Sequence, residues 1–199
     1  MSTRFDNRSV DRFKKDIKFG TQLESYFFQK WLEVCVDDVC HWDHNGCGND
    51  GEFIAKGNTA GADYMVSGTL FVKPHTQEVT NHPLEIKWVP TAGKFTLKEN
   101  DLKAYVRERA SILFIYNTGN AKLRKPNDHN LEKHIKLIEA NASDIRYGIM
   151  WWQEVKRLYE FTKEEGLFKP IYYMGNKSGV VLKAIDYSKY FVEREWITK

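Results

Sequence analysis

The chain has 199 residues, of which 42% are hydrophobic and 14% aromatic, enough to bury one substantial core. Only 5 prolines accompany this aromatic content, which excludes a disordered or low-complexity chain. The 30 basic and 27 acidic residues give a net charge of +3, so a polyanionic partner is permitted but not required.

Targeting signals and cysteine content indicate the cellular compartment of the protein. No apolar run reaches the roughly 18 residues of a membrane-spanning helix, and the polar first residues contain no secretory signal. The 3 cysteines, Cys35, Cys40 and Cys47, are an odd number and do not suggest a disulfide framework. We therefore expect one domain over 1–199, cytoplasmic, in a reducing compartment and without membrane contact.

The first part of the chain predicts an arm, a helix and a loop. Residues 1–19 are rich in Lys and Arg and predict a basic N-terminal arm or a short helix. From Thr21 to Val36, apolar residues recur at three- and four-residue steps, which indicates an amphipathic helix. Thr21, with Glu24 three residues later, has the spacing of a capping box. Residues 37–61 are rich in Gly, His and Cys and predict a loop.

Strands follow this loop. Their β-branched and aromatic content predicts three short strands, at 63–66, 69–73 and 84–89, with a turn-rich segment at 74–82. A helix is expected to begin at Thr96. The wholly apolar run 112–116 predicts a buried central strand.

The second half of the chain alternates helices and strands. We expect an exposed loop at 122–129, a short helix at 131–140 and a longer helix from Ser143 to Phe161. Strands at 171–174 and 179–185 flank a Gly-Asn-Lys-Ser turn, which is typical of a hairpin. The order of elements predicts an α/β fold with a central mixed β-sheet flanked by helices.

The chemistry of the chain concentrates at Asp63 and at Glu85-Ile86-Lys87. Side chains alternate along a strand, so Glu85 and Lys87 share a face and Ile86 lies on the other. Asp63 begins a strand that would pair with the Glu85 strand through the intervening hairpin. Two carboxylates at such a strand end can hold Mg²⁺ through oxygen ligands, and a nearby ammonium can orient or deprotonate an attacking water. The pattern indicates phosphodiester hydrolysis.

At these residues the chain resembles the PD-(D/E)XK nuclease superfamily, which has the restriction-endonuclease-like fold. Glu85-Ile86-Lys87 stands where that family has E-x-K, and Asp63 stands where it has its Asp. Ala62 replaces the Pro of the family name, and the loop before it belongs to no general family pattern. The segment that carries the resemblance, 21–117, would form the catalytic core.

The resemblance implies a Mg²⁺-dependent DNA endonuclease in which Mn²⁺ can substitute. Asp63, Glu85 and the backbone carbonyl of Ile86 would bind the metal, and Lys87 would position the nucleophilic water. Glu24, on the preceding helix, would be an outer or water-mediated ligand. Many members of the superfamily pair as dimers, so the resemblance also implies a homodimer.

Alternative interpretations stay open for these residues. Glu24 is equally suited to the capping box with Thr21. Glu85 and Lys87 could instead form a salt bridge on an exposed sheet face, contributing about 0.5 kcal/mol. In that case the chain would be a non-catalytic DNA-binding or assembly protein that keeps the fold.

The cysteine and histidine cluster offers a second metal hypothesis. Thiolate and imidazole ligands suit Zn²⁺, and Cys35, Cys40, His44 and Cys47 lie close together in sequence. Their spacing is irregular and contains no C-x-x-C pair, so reduced cysteines and loop histidines are the competing interpretation. The run Asp43-His44-Asn45 also suggests a histidine–metal nuclease, but no partner residues follow on a helix at convincing spacing.

A DNA substrate needs basic residues that meet its phosphates. The candidates lie after the proposed site and in the basic loop: Lys94, Lys98, Lys122, Arg124 and Lys125. The loop cluster is favoured, because a loop can reach along a duplex backbone.

Overall fold

The computed structural model describes residues 9–34, 39–44, 61–90, 94–124, 126–171, 177–183 and 189–196. Within these ranges the helices are α1 (Val10–Val34), α2 (Glu99–Glu108), α3 (Leu131–Glu139) and α4 (Trp152–Glu164). The strands are β1 (Val39–His44), β2 (Tyr64–Phe71), β3 (Thr76–Val89), β4 (Lys94–Lys98), β5 (Ser111–Asn117), β6 (Ile145–Met150), β7 (Lys169–Ile171), β8 (Lys177–Lys183) and β9 (Arg194–Glu195).

Six strands form the main sheet, in the order β1-β2-β3-β5-β6-β9. The sheet is mixed, because β3 and β5 run parallel while the other neighbouring pairs are antiparallel. The parallel pair needs a crossover connection, which β4 and α2 supply. Strands β4, β8 and β7 form a separate antiparallel sheet, the small sheet. The predicted central mixed sheet flanked by helices is confirmed.

The core lies on both faces of the main sheet. On one face, Phe27 of α1 packs with Leu84 and Ile86 of β3. On the other face, α2, α4 and the small sheet cover β5, where Phe95 stacks on Phe114 with ring centroids 4.2 Å apart. Every residue of β5 is buried, as expected for a strand with neighbours and cover on both sides. The predicted buried strand at 112–116 is confirmed.

The first helix begins at Val10, so the predicted start at Thr21 is wrong. Phe19, Leu23 and Phe27 are buried at four-residue steps, and this stripe continues the helix back through Thr21. A residue inside a helix cannot cap it, so the capping box is wrong too. Residues 10–19 of the expected arm are therefore helical, and residues 1–8 lie outside the described ranges.

The predicted turn-rich segment 74–82 is mostly strand. The chain turns at Val72–His75, where the Lys73–Pro74 peptide is cis, and β3 then pairs with β2 along most of its length. The two strands predicted at 63–66 and 69–73 are one strand with a register shift between Val66 and Gly68. Pairing with a neighbouring strand outweighs the weak β-propensity of Asn81, His82 and Pro83, and Asn81 adopts a positive φ of 48°.

The segment at Thr96 is strand β4, and α2 begins only at Glu99. Phe95 and Leu97 are buried on either side of the half-buried Thr96. Alternation of this kind has the period of a strand. Because β4 has only five residues and α2 follows it directly, the sequence pattern does not separate the two elements.

The single helix predicted from Ser143 to Phe161 is wrong. A short 3₁₀ turn (Ala142–Asp144) leads into β6, and α4 begins at Trp152. Most of β6 is buried on both faces, so its apolar positions also fit a helical period.

Two other predictions agree with the structure. The helix predicted at 131–140 is confirmed as α3, with the Asn130 side chain accepting a hydrogen bond from the backbone N–H of Lys133 at 2.9 Å. Strands β7 and β8 pair antiparallel, so the hairpin is confirmed. Its predicted bounds are wrong, because both strands begin two residues earlier than expected and Lys177 and Ser178 of the predicted turn belong to β8. Residues 172–176, which include part of the predicted turn, lie outside the described ranges. None of the helices in the described ranges combines the length and apolar character needed to cross a bilayer.

Candidate active site

Asp63 and Glu85 come together through the β2–β3 hairpin. Asp63 immediately precedes β2, whose first residue, Tyr64, pairs with Leu84 in β3. The Asp63 Oδ2 atom accepts a hydrogen bond from the backbone N–H of Ile86 at 2.9 Å. The predicted pairing of the two segments is confirmed, and it holds the Asp63 carboxyl against the strand that carries Glu85.

Glu85 and Lys87 lie on one face of β3, as their spacing predicts. The Lys87 ammonium donates a hydrogen bond to Oε1 of Glu85, whereas Leu84 and Ile86 belong to the core on the opposite face. Glu85 is only 4% exposed. The pair does form a salt bridge, as the alternative interpretation holds, but the exposed sheet face expected for it is wrong, since the carboxylate is buried beneath α2.

Tyr105 of α2 is a site residue that the sequence did not reveal. Its hydroxyl donates a hydrogen bond to Glu85 Oε1 at 2.7 Å, and Lys87 Nζ lies 5.7 Å from the centre of its ring. In the sequence Tyr105 belongs to the apolar stripe of its helix. A buried tyrosine hydroxyl needs a hydrogen-bond partner, but the sequence does not show which partner the packing of α2 brings to it.

Glu24 of α1 contributes to the same electrostatic group. Burial raises the pKa of Glu24 to about 7; the positive charge of Lys87 opposes this rise and the negative charge of Glu85 adds to it. Beside it, Ser25 receives a hydrogen bond from the Tyr64 hydroxyl at 3.4 Å, which ties this turn of α1 to the start of β2. Of the two roles considered for Glu24, the capping box is excluded and the role of an outer ligand stays a prediction. Its negative charge raises the pKa of Asp63.

The other two carboxyl groups also have raised pKa values. Burial raises the pKa of Asp63 to about 6 and that of Glu85 to about 7. Repulsion from Glu24 adds to the shift at Asp63, while Lys87 and the N–H of Ile86 reduce it. At neutral pH the three carboxyl groups therefore retain part of their protons.

Lys87 has the opposite balance. Burial lowers its pKa, but the charges of Glu85, Tyr105, Asp63 and Glu24 outweigh burial and raise the pKa well above the usual value. The ammonium therefore keeps its proton at neutral pH. It is suited to donate hydrogen bonds and to neutralise negative charge, and it is a poor proton acceptor.

The donor set fits a hard divalent cation. Oε2 of Glu85 is buried and has no hydrogen-bond donor among the described residues, and leaving such an oxygen unpaired costs about 1–3 kcal/mol. When Glu85 is protonated, its carboxyl can hydrogen-bond to Asp63, which holds the pKa of Asp63 down. Oxygen ligands of this kind suit Mg²⁺. In the part of the chain that the structure describes, no three acidic, His or Cys side chains form a ready-made metal cluster.

The predicted DNA-binding residues lie at different distances from the carboxylates. Lys98, at the end of β4, lowers the pKa of Glu24 and forms an ion pair with Asp101 at 3.1 Å. Lys94 begins the same strand. Lys122 and Arg124 are exposed and follow the far end of β5, roughly 16 Å along that strand from the level of Glu85. Lys125 lies outside the described residues.

The zinc hypothesis stays a prediction. Cys40 and His44 belong to β1, so the loop predicted at 37–61 is wrong over residues 39–44, which pair with β2. Cys35 and Cys47 lie outside the described residues. In the same strand, His41 Nε2 and Asp43 Oδ2 are 3.1 Å apart, and both side chains are exposed.

Comparisons with other proteins give no family for this chain. It matches no protein-family model, no curated protein and no solved structure. What it can do is therefore inferred from the residues and geometry of the site described above.

Proposed function

We propose that this chain is a Mg²⁺-dependent DNA endonuclease with a restriction-endonuclease-like core. The observation that carries the proposal is one group of three carboxyl side chains and a lysine. Glu85 is buried, the other three residues are partly exposed, and Oε2 of Glu85 has no donor among the residues described. Perturbed carboxyl groups around a charged partner are typical of functional sites.

A purely structural role accounts poorly for this group. Replacing buried ion pairs with apolar residues is often neutral or stabilising, and here three acidic groups share one lysine. Burial raises the pKa values of Glu24 and Glu85 to about 7, so ionising them costs stability near neutral pH. A ligand that supplies positive charge offsets this cost.

The residues of the chain divide the chemistry among them. Mg²⁺ bound by Asp63, Glu85 and the carbonyl of Ile86 would acidify a coordinated water and neutralise charge on the phosphate. Lys87, which keeps its proton, orients the attacking water and stabilises negative charge that develops at phosphorus. Tyr105 holds Glu85 in place through its hydrogen bond. The water oxygen bonds to phosphorus and releases one proton to the solvent, one phosphorus–oxygen ester bond breaks, and the departing sugar oxygen takes up one proton from the solvent, so the step is balanced.

The competing function is a non-catalytic DNA-binding or assembly protein. The direct contact between Lys87 and Glu85 favours it, since an ion pair can exist without any reaction. Homodimerisation and a cytoplasmic location remain predictions from the sequence.

Cleavage of a supercoiled plasmid tests the proposal. Purified protein with Mg²⁺ or Mn²⁺ should convert the plasmid to nicked and linear forms, and EDTA should prevent it. Asp63→Asn and Lys87→Met should each lower the rate at least about 100-fold, the scale of losing one group that acts in the transition state. Lys133→Gln, at an exposed position in α3, is the matched control and should cut at the original rate.

Two results would refute the proposal. One is a folded protein that binds DNA but does not cut it, whether Mg²⁺ or Mn²⁺ is added. The other is cutting that persists in both site variants, which would mean that the nuclease activity comes from other residues or from a contaminant.

A further inference from the structure

The small sheet has an unusual charge distribution. Its strands β4, β8 and β7 contain five lysines and no acidic residue: Lys94, Lys98, Lys169, Lys177 and Lys183. In the chain as a whole, basic and acidic residues nearly balance. Positive charge is therefore concentrated in these three strands.

The strand register places all five lysine positions on one face. Residues directly opposite each other in an antiparallel pair share a face. Lys94 is opposite Lys183, and Lys98 and Lys169 are both opposite Gly179. Lys177 is two residues from Gly179 in β8, so it has the same orientation. We call this surface the lysine face.

On the other face of the small sheet, the positions in β4 and in the middle of β8 pack on the protein, whereas Pro170 and Ser178 are exposed. Phe95 and Leu97 of β4 are each 1% exposed and pack with Val180 in the core. These residues alternate with the lysine positions along β4 and β8. In β4 and the facing part of β8, the alternation therefore separates apolar positions packed on the protein from the face that carries the lysine positions.

Packing around Gly179 supports this assignment independently. A Cβ atom at Gly179 would lie 2.5 Å from Cδ1 of Ile171, so the Ile171 side chain lies over the glycine on the lysine face. Val181, two residues along β8, is 42% exposed, and Lys169 is also exposed. The face is thus open to solvent at positions in two of its strands.

Like charges opposite each other in a sheet are destabilising, and a polyanion offsets that repulsion. The lysine face also borders the candidate active site, since Lys98 ends β4 beside α2 and pairs with Asp101 at the start of that helix. We propose that the lysine face binds the phosphate backbone of the DNA duplex whose scissile phosphate lies at the carboxylates. The choice of DNA as the partner rests on the proposed function.

The dimensions of the face suit a duplex backbone. From Lys94 to Lys98 the strand extends about 13 Å, and three strands are about 10 Å wide. Phosphates along one DNA strand are spaced about 3.4 Å along the helix axis. The face therefore spans about four phosphates of one strand, close to the number of its five lysine positions.

Binding to a duplex without cleavage tests this inference. The variant Lys169→Gln/Lys177→Gln/Lys183→Gln removes charge from β7 and β8 and leaves every proposed active-site residue in place. The control, Lys133→Gln/Lys136→Gln/Lys163→Gln, makes the same change in net charge at exposed positions of α3 and α4. Fluorescence anisotropy with a labelled duplex of about two helical turns, in EDTA, gives the affinity at several KCl concentrations.

We expect the face variant to bind more weakly than the wild-type protein, with a slope of log affinity against log salt that is smaller by about 2.7. The control should change the slope by much less. Equal changes in the two variants, or no change in the face variant, would overturn the inference. Circular dichroism spectra and melting temperatures confirm that both variants are folded.

The same variants separate this inference from the proposed nuclease activity. If the wild-type protein binds DNA through the face but does not cut plasmid, the lysine face stands and the nuclease proposal fails. If the wild-type protein cuts plasmid while the face variant binds as tightly as the wild type, the nuclease proposal stands and the lysine-face inference fails. Vesicles with and without phosphatidylserine test whether the face binds an anionic membrane instead. If the face variant loses vesicle binding while its duplex binding is unchanged, the inference is also overturned.

Discussion

Glu24→Gln tests the electrostatics of the candidate site most directly. Burial raises the pKa of Glu24 from 4.5 to about 7, although the positive charge of Lys87 opposes the shift. Between these two pH values the folded protein binds more protons than the unfolded chain, so its stability falls as the pH rises. The contribution is fully present below about pH 4.5 and is lost once the pH has passed about 7.

The size of the effect follows from this shift. At 1.36 kcal/mol per pH unit, a pKa raised from 4.5 to about 7 corresponds to roughly 3 kcal/mol of lost stability at high pH. Glutamine has nearly the same shape and no charge, so it escapes this loss. From about pH 5 to about pH 8, and allowing for partial solvent screening, the variant should gain roughly 2 kcal/mol relative to the wild type. For a chain of this length that is about 4–8 °C in melting temperature.

Thermal unfolding in EDTA, followed by circular dichroism at both pH values, measures the difference. Glu33→Gln is the matched control, because Glu33 is an exposed residue of the same helix, paired with Lys30 at 2.9 Å. Its substitution should change stability by no more than about 0.5 kcal/mol. A Glu24→Gln effect of equal size at both pH values, or the same pH-dependent gain in the Glu33→Gln protein, would refute the reasoning.

Three further predictions concern the metal, the tyrosine and the small sheet. Mg²⁺ should raise the melting temperature more at about pH 8 than at about pH 5, because cations and protons compete for the carboxylates; an equal rise in Asp63→Asn would contradict this. Tyr105→Phe should cost about 1–2 kcal/mol at about pH 8, and it should move the acid limb of the cleavage profile to higher pH, because the buried glutamate loses a donor to its ionised form. An unmoved profile would speak against the positioning role. Gly179→Ala should destabilise the protein by about 1–3 kcal/mol in urea unfolding, since the new Cβ would lie 2.5 Å from Ile171 Cδ1 and 2.7 Å from a backbone carbonyl oxygen. Ser178→Ala, at the exposed neighbouring position, should stay within about 0.5 kcal/mol, and similar losses in both would place the register in doubt.

Strand alternation made the centre of the site predictable. The spacing of Glu85 and Lys87 requires a shared face, and the intervening hairpin brings Asp63 to the same strand end. Both are local consequences of a two-residue period. The burial of Glu85 was not predictable in this way, since it depends on α2, which packs over that face of the sheet.

Features that depend on distant partners could not be predicted from the sequence. Tyr105 lies on an apolar helix stripe, and only the packing of α2 on the sheet shows that its hydroxyl meets Glu85. The lysine face requires the register of β4 against β8 and of β8 against β7, which pair residues more than 80 positions apart in the first case. In the segment near Thr96 a short strand precedes a helix directly, and the two periods cannot be separated over so few residues.

The protonation of the site and the charge of the small sheet have a common physical basis. The pKa values of the carboxyl groups are raised because desolvation and mutual repulsion outweigh the positive charge of Lys87. The strands of the small sheet contain five lysines and no acid, although Asp101 of α2 pairs with Lys98. Each region therefore carries an excess of one charge: negative at the carboxyl groups when they ionise, and positive in the strands of the small sheet. A metal ion and a DNA backbone together would satisfy both, and binding of either should raise affinity for the other, because a bound phosphate adds an oxygen ligand and negative charge near the cation. Duplex affinity measured for Asp63→Asn and the wild type, with Ca²⁺ and with EDTA, reads this coupling: we expect Ca²⁺ to tighten binding in the wild type only, and equal tightening in both proteins would show that the two sites act independently.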